Sequence, residues 1–228
     1  MKKNNLILGT FLAITAILFS SCGASSSSDS TSTEKVEGGT ESTESGGVVT
    51  IGSQVWTSKN LDVSTYRNGD VIPQVQDHQA WKRIATGAWC YYNNDASNGT
   101  KYGKLYNWYA VNDPRGLAPA GFHIPSDAEW KILTDYLGGT AAAGTKMKSS
   151  TGWLLNGNST NSSGFAGFPG GAGEKGSFSS IGTYGYWWSA TEFGSEDAWY
   201  RCLNYQNGNV YSFSYSKRNA FSIRCLGD

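Results

Sequence analysis

The residues able to do chemistry in this 228-residue chain are few: four cysteines, two histidines and a scatter of acids, beside nine tryptophans. His78 sits among Gln76, Asp77 and Gln79 and reads as a solvated loop residue. His123 lies between Phe122 and Ile124, just ahead of a capped helix, where a structural hydrogen bond is expected. Glu192, Glu196 and Asp197 flank one short loop. Paired carboxylates cleave glycosides only at a defined separation, and these read as surface acids. The chain has no Gly-x-Ser-x-Gly elbow, no P-loop and no His-Glu-x-x-His. Asn93-Asn94-Asp95-Ala96-Ser97-Asn98-Gly99 carries oxygen donors of the kind hard cations take. Its glycine, however, stands seventh where an EF-hand loop needs it sixth. The residues therefore imply no enzyme and no cofactor, with calcium the one cation they would suit.

What positions these residues divides into three segments. Residues 1–21 read as a signal peptide: Lys2 and Lys3 precede the uncharged apolar run Leu6 to Phe19. As a helix that run spans roughly 21 Å, short of the ~30 Å hydrocarbon core. It stops at Phe19-Ser20-Ser21-Cys22, which resembles the lipobox of bacterial lipoproteins and makes Cys22 the expected lipidation site. Residues 22–47 follow as a tether of Ser, Thr, Gly and Glu with almost no apolar side chain, a composition that cannot offset its ordering entropy. Asp29-Ser30-Thr31 within it is similar to a short O-glycosylation motif of Bacteroidota, at Ser30. Lipidation would place the protein at a membrane without a spanning helix, as an exported outer-membrane lipoprotein facing the cell surface or the periplasm.

Residues 48–228 are the folded part, one domain by size. Lys and Arg balance Asp and Glu at 18 each over the whole chain, which removes the basic footprint of a nucleic-acid binder. Val48 to Trp56 reads as strand with a turn at Gly52-Ser53, and Trp89 to Tyr92 as a short strand. Lys101 to Val111 reads as a helix. A second helix is signalled by Ser126 and Glu129 as a capping box and by Trp130, Leu133 and Leu137 at helical spacing. Ile132 and Tyr136 widen the stripe, and Gly138-Gly139 stops it. Residues 156–185, rich in Gly and Ser, read as loop. Four strands follow, Tyr186–Thr191, Ala198–Tyr205, Val210–Tyr215 and Ala220–Leu226, with Asn207-Gly208 as a hairpin signal. The fold class is α+β with two helices, a twisted antiparallel sheet and long Gly/Ser-rich loops.

Three stretches carry a family resemblance: Lys101-Tyr102-Gly103-Lys104-Leu105-Tyr106-Asn107-Trp108-Tyr109-Ala110, Gly121 to Trp130, and Tyr186-Trp187-Trp188-Ser189-Ala190-Thr191 leading to Phe221-Ser222-Ile223-Arg224-Cys225. In this order they resemble the Fibrobacter succinogenes major paralogous domain, common in lipoproteins of Fibrobacter and Bacteroidota, over about residues 48–228. That resemblance implies a C-type-lectin-like fold, distantly similar to the formylglycine-generating (sulfatase-modifying) proteins. Those enzymes need a nearby pair of late cysteines, and here no cysteine lies between Trp187 and Tyr200, which speaks against that activity. The Glu-Pro-Asn or Gln-Pro-Asp loop of calcium-dependent lectins is missing as well.

Export implies an oxidising compartment, so Cys90, Cys202 and Cys225 are expected to form one disulfide and leave one thiol, with Cys90–Cys225 favoured over Cys202–Cys225. A lectin-like head presents its loops for binding. Aromatic rings among small polar residues suit sugar rings or a protein surface. The expected ligand contacts are Phe165, Phe168, Tyr184, Trp188 and Glu192. Trp187 and Trp188 alternate across a strand, one toward the core and the other toward the loop surface. The function expected is a non-catalytic binding module for a polysaccharide or surface protein. The alternatives are an envelope-organising lipoprotein without a small-molecule site and an enzyme of unknown type.

Overall fold

The structure, a computed structural model, describes residues 47–228, which belong to one compact unit. The signal peptide 1–21, the lipidation at Cys22, the tether up to residue 46 and Ser30 lie outside the described residues. The described chain opens with the expected hairpin: β1 (Val48–Ile51) pairs with β2 (Gln54–Thr57) around Gly52 at φ +62. Then come α1 (His78–Arg83), β3 (Trp89–Cys90), two 3-10 turns, α2 (Gly99–Tyr102), β4 (Leu105–Tyr106) and α3 (Trp108–Val111). Next are β5 (Phe122–His123), α4 (Asp127–Tyr136) and α5 (Ala143–Met147). The chain ends with β6 (Gly170–Glu174), β7 (Ser177–Ile181), β8 (Tyr184–Phe193), β9 (Asp197–Asn204), β10 (Val210–Ser216) and β11 (Leu226–Gly227). The sheets run β1-β2-β11-β5, β10-β9-β8-β6-β7 and β3-β4, antiparallel except where β6 meets β8. The class is α+β with sheet predominant.

Several expectations change for local reasons. The helix expected over 101–111 is two one-turn helices around β4. Gly103 at φ +70 ends α2, and an added Cβ there would lie 2.8 Å from the Leu61 carbonyl. Buried Asn107 then starts α3 by accepting the Ala110 N–H, while its other bonds go to residues 86 and 88. His78 opens α1 rather than sitting in a loop, because Asp77 caps the Ala80 N–H at 2.7 Å. The stretch 156–185 contains the β6–β7 hairpin, turned by Lys175 and Gly176 at φ +49 and +81. Its small residues hide the alternation by which strands are normally recognised. The capping box of α4 forms as expected, with the Glu129 carboxylate on the Ser126 N–H at 2.7 Å. The buried stripe is narrower than expected: Trp130 and Leu133 are buried, Ile132 and Tyr136 exposed.

The adjacent tryptophans of β8 explain the core. Trp188 packs in one cluster with Tyr106, Trp108 and Phe221, and Trp187 in another with Trp56, Trp130 and Phe165. Both are fully buried, so neither faces a loop surface. Each such side chain removes about 150–250 Å² from water, an upper bound of about 4–6 kcal/mol. Phe165 and Trp188, two of the expected ligand contacts, are therefore core residues. The expected last strand is a thread instead. Single bridges tie Ala220 to Gly173, Phe221 to Tyr106 and Ser222 to Trp187, before β11 joins β2 and β5. Cys90, Cys202 and Cys225 are all free, buried thiols, which corrects the expected disulfide. Cys90 packs with Leu105, whereas Cys225 shares a cluster with Tyr106, so consecutive residues of β4 separate the two. Burial pushes each thiol up to about 12.

Buried charge is one-sided. Lys104, Lys148, Arg201, Lys217 and Arg224 are buried, and among the described residues no Asp or Glu is. Four of the five sit over a ring and bond loop carbonyls. Lys104 lies over Trp89 and reaches the Asp62 carbonyl, and Lys148 lies over Trp153 and reaches those of Asn204 and Asn207. Lys217 lies over Trp108 and bonds the carbonyls of Gly194 and Ser195. Arg224, fully buried, lies 4.4 Å over Phe165 and donates to Asn60 Oδ1 and to the carbonyls of Thr57, Phe165 and Ala166. Burial pushes its guanidinium pKa down, and these charge-assisted bonds hold the cation in place. Replacing Arg224 with Ala should cost about 3–5 kcal/mol in urea unfolding, since several buried oxygens lose their donors together. Arg224→Lys should recover only a minor part, because one ammonium cannot reach all four acceptors.

Candidate functional site

A cleft of about 450 Å³ opens between the chain leaving β2, helix α2 and Phe168. Its walls are placed by the groups just described. Asn60 accepts from Arg224 Nε and from Trp187 Nε1, and its own amide donates to the Tyr102 carbonyl at 2.8 Å. That side chain ties residues 58–62 to the end of α2. Gly99 lies where an added Cβ would be 2.3 Å from the Tyr91 ring, so α2 can start only from glycine at this approach. Asp62 is held by Lys104 at 2.7 Å. The exposed groups left in the cleft are the ammonium groups of Lys59 and Lys101 and the Thr100 hydroxyl, beside the half-buried Phe168 ring; the half-buried Ser58 hydroxyl already donates to the Gly47 carbonyl at 2.6 Å. The Lys101 Nζ lies 5.6 Å from the centre of that ring.

A second cleft of about 410 Å³ shares Lys101 and continues past Gly152 to Leu154. Its rim is a turn under strain: Leu155 and Asn156 have φ of +52 and +60, a region that costs a leucine about 1–3 kcal/mol. Asn158 Oδ1 accepts the Trp153 N–H at 2.9 Å, and the Leu154 N–H donates to the Gly182 carbonyl at 2.8 Å. Held this way, Leu154 and Leu155 stay 56% and 71% exposed. The two clefts together offer hydroxyls and ammonium groups that can bond a ligand, and a ring and aliphatic side chains that can pack against one. Among the described residues no group of three or more His, Cys, Asp or Glu is placed to hold a metal ion.

Of the expected contact residues, only Phe168 lies in a cleft. Tyr184 stacks on Tyr186 with ring centres 5.8 Å apart. Glu192, eight residues and roughly 26 Å further along β8, pairs with buried Lys217. The loop after it, which holds Glu196, is pinned by the same lysine, and Glu196 pairs with Arg218. Lys59, Asn60, Asp62 and Lys101 were not singled out by sequence reasoning. They carry no spacing signal, because the fold gathers them from two segments about 40 residues apart. Arg224 stood within a quoted motif but read as strand.

His123 makes the structural contact expected of it, and makes it twice. Nε2 meets Glu129 at 2.9 Å and Nδ1 meets Asp228 at 2.8 Å. Partial burial lowers its pKa, but the bonds to Asp228 and Glu129 outweigh this and leave it raised. Burial raises the pKa of Glu129, and its bonds to Ser126 and His123 leave it lowered. The His123 contribution is therefore complete below about pH 6.5 and lost as pH rises through the elevated value. The Glu129 contribution is complete above about pH 4.5 and lost on acidification. Thermal melts should show a stability maximum between these limits, and His123→Gln should remove the decline on the alkaline side.

Comparison with known families gives one match: the model of the Fibrobacter succinogenes major domain covers residues 49–226. No curated protein and no solved structure matches the chain.

Proposed function

The chain belongs to the Fibrobacter succinogenes major domain family, and we propose that it is the head of an exported, membrane-anchored lipoprotein: a non-catalytic, glycan-binding module with a C-type-lectin-like fold. The anchor is Cys22, at the end of a short apolar run and ahead of a Ser/Thr/Gly/Glu tether, in the outer membrane. In support of the fold are the capped α4, the antiparallel late strands and the thread that closes on β2.

The observation that carries the reading is the first cleft. Saccharides present hydroxyls to be bonded and C–H faces to be packed. The cleft sets two ammonium groups and the Thr100 hydroxyl around one ring. It is built on groups already fully bonded, so little ordering is needed when a ligand enters. The exposed Leu154 on its continuation favours a ligand longer than one sugar unit.

The test is a polysaccharide array probed with the full chain in detergent, with and without calcium. Phe168→Ala and Lys101→Ala should each weaken binding about tenfold, the effect of losing one packed ring or one charge-assisted bond. Lys59→Ala, at an exposed position, should weaken it without changing the melting temperature. The reading fails if no polysaccharide binds, or if all three variants bind as the parent does while remaining folded.

A further inference from the structure

The large sheet ends at β10 without the features that normally close an edge. Charges, prolines, bulges or covering elements usually blunt such strands. Strand β10 reads Val210-Tyr211-Ser212-Phe213-Ser214-Tyr215-Ser216 and contains no charge, proline or glycine. It is the outermost strand and pairs with β9 in unbroken register, from Val210 opposite Leu203 to Ser216 opposite Asp197. Apart from that pairing, the backbone bonds it makes among the described residues lie at its two ends, from the Val210 N–H to the Thr140 carbonyl and from the Asn219 N–H to the Ser216 carbonyl. The outward N–H and C=O groups of residues 211–215 thus face solvent. Phe213 and Tyr215 are 50% and 41% exposed, and Tyr211 stacks against Phe213 with ring planes 9° apart. The opposite edge, β7, is interrupted by Ser180 at φ +68, a break that β10 lacks.

We propose that this edge pairs with the same edge of a second copy of the chain, antiparallel and centred on Phe213. The argument lies in the order of the residues. Positions 211–215 read Tyr-Ser-Phe-Ser-Tyr in either direction. A two-fold interface must be self-complementary, with residue i meeting j and j meeting i. Centred on Phe213, the pairing sets that residue against its own counterpart, Tyr211 against Tyr215 and Ser212 against Ser214. The stacked rings then continue across the joint on one face, and the serines on the other. A slip of one residue would set rings against serines, so the register is defined. No charge in the strand opposes itself across the axis. A two-fold joint uses up the same edge on both copies, so through β10 the assembly closes at two. A joint of the five residues 211–215 is small beside the ~800 Å² per partner of a standard interface. The pair is accordingly one that forms at high local concentration, the condition a membrane anchor would create.

Sedimentation equilibrium of the full chain in density-matched detergent, at up to about 1 mM chain, tests this. The mass should climb with concentration from one copy toward two and no further. Phe213→Lys places like charges directly opposite one another and should raise the dissociation constant about tenfold or more. The double variant Tyr211→Lys/Tyr215→Lys should do the same. Tyr211→Lys/Tyr215→Glu sets each introduced lysine against an introduced glutamate of the other copy and should associate within about threefold of the parent. Thermal melts check that each variant is folded. A one-copy mass throughout, a species larger than two copies, or an unaltered dissociation constant for Phe213→Lys would each overturn the proposal. So would a charge-swapped variant as weak as the double-lysine one.

Discussion

Loop carbonyls that cannot be left unbonded govern how this head is built. Its helices are short and long stretches have no ladder partner, so many buried carbonyl oxygens lack a donor from regular structure. Long basic side chains supply it. Each can deliver up to three donors (Lys) or five (Arg) where the loops converge, and under four of the five an aromatic face compensates part of the lost hydration. Acids cannot do this work, because carboxylates only accept. That asymmetry accounts for five buried cations beside no buried acid among the described residues. Arg224 is the furthest developed case, with one guanidinium holding the end of β2, the Asn60 turn and the Phe165–Ala166 backbone.

The same need explains why rings are so abundant and so deeply placed. Strand β8 is covered on both faces, which makes Trp187 and Trp188 centres of two separate clusters rather than one core residue and one surface residue. The final thread from Ala220 to Leu226 runs between the sheets and contributes to both clusters. Every residue of that thread is buried, which is why a short motif there is so informative about the fold.

Features set by neighbours in the chain were legible in the sequence. The capping box at Ser126, the Gly52 turn, the Asn-Gly hairpin and the late strands all follow from residues within a few positions of one another. Features set by distant contacts were not. Gly103 breaks a helical pattern because the Leu61 carbonyl occupies the space a side chain would need, and nothing near residue 103 announces that. Phe165 has the composition of a binding loop around it, yet its ring fills the space between Trp56, Trp130 and Trp187. Ring type and polar neighbours look alike in a paratope and in a packed loop; only burial separates them. The disulfide expectation failed similarly, since cysteine count and compartment say nothing about which side of β4 each thiol occupies.

The division between bonded and unbonded groups also locates the binding surfaces. Asn60, Asp62, Glu192 and Lys217 are polar but already committed to holding loops, so a ligand would have to break those bonds to use them. Lys59, Lys101, the Phe168 ring and the exposed Leu154 and strained Leu155 hold nothing comparable together. Strain at Leu155 is maintained by bonds that leave two aliphatic side chains in water, a cost with no return in the free head. A scaffold whose carbonyls are closed by cations is rigid beneath its cleft, and rigidity there lowers the entropy that binding must overcome. The spare groups and the rigid floor meet at one place, between Asn60 and Lys101, and that coincidence is the reason for proposing the ligand site in this cleft.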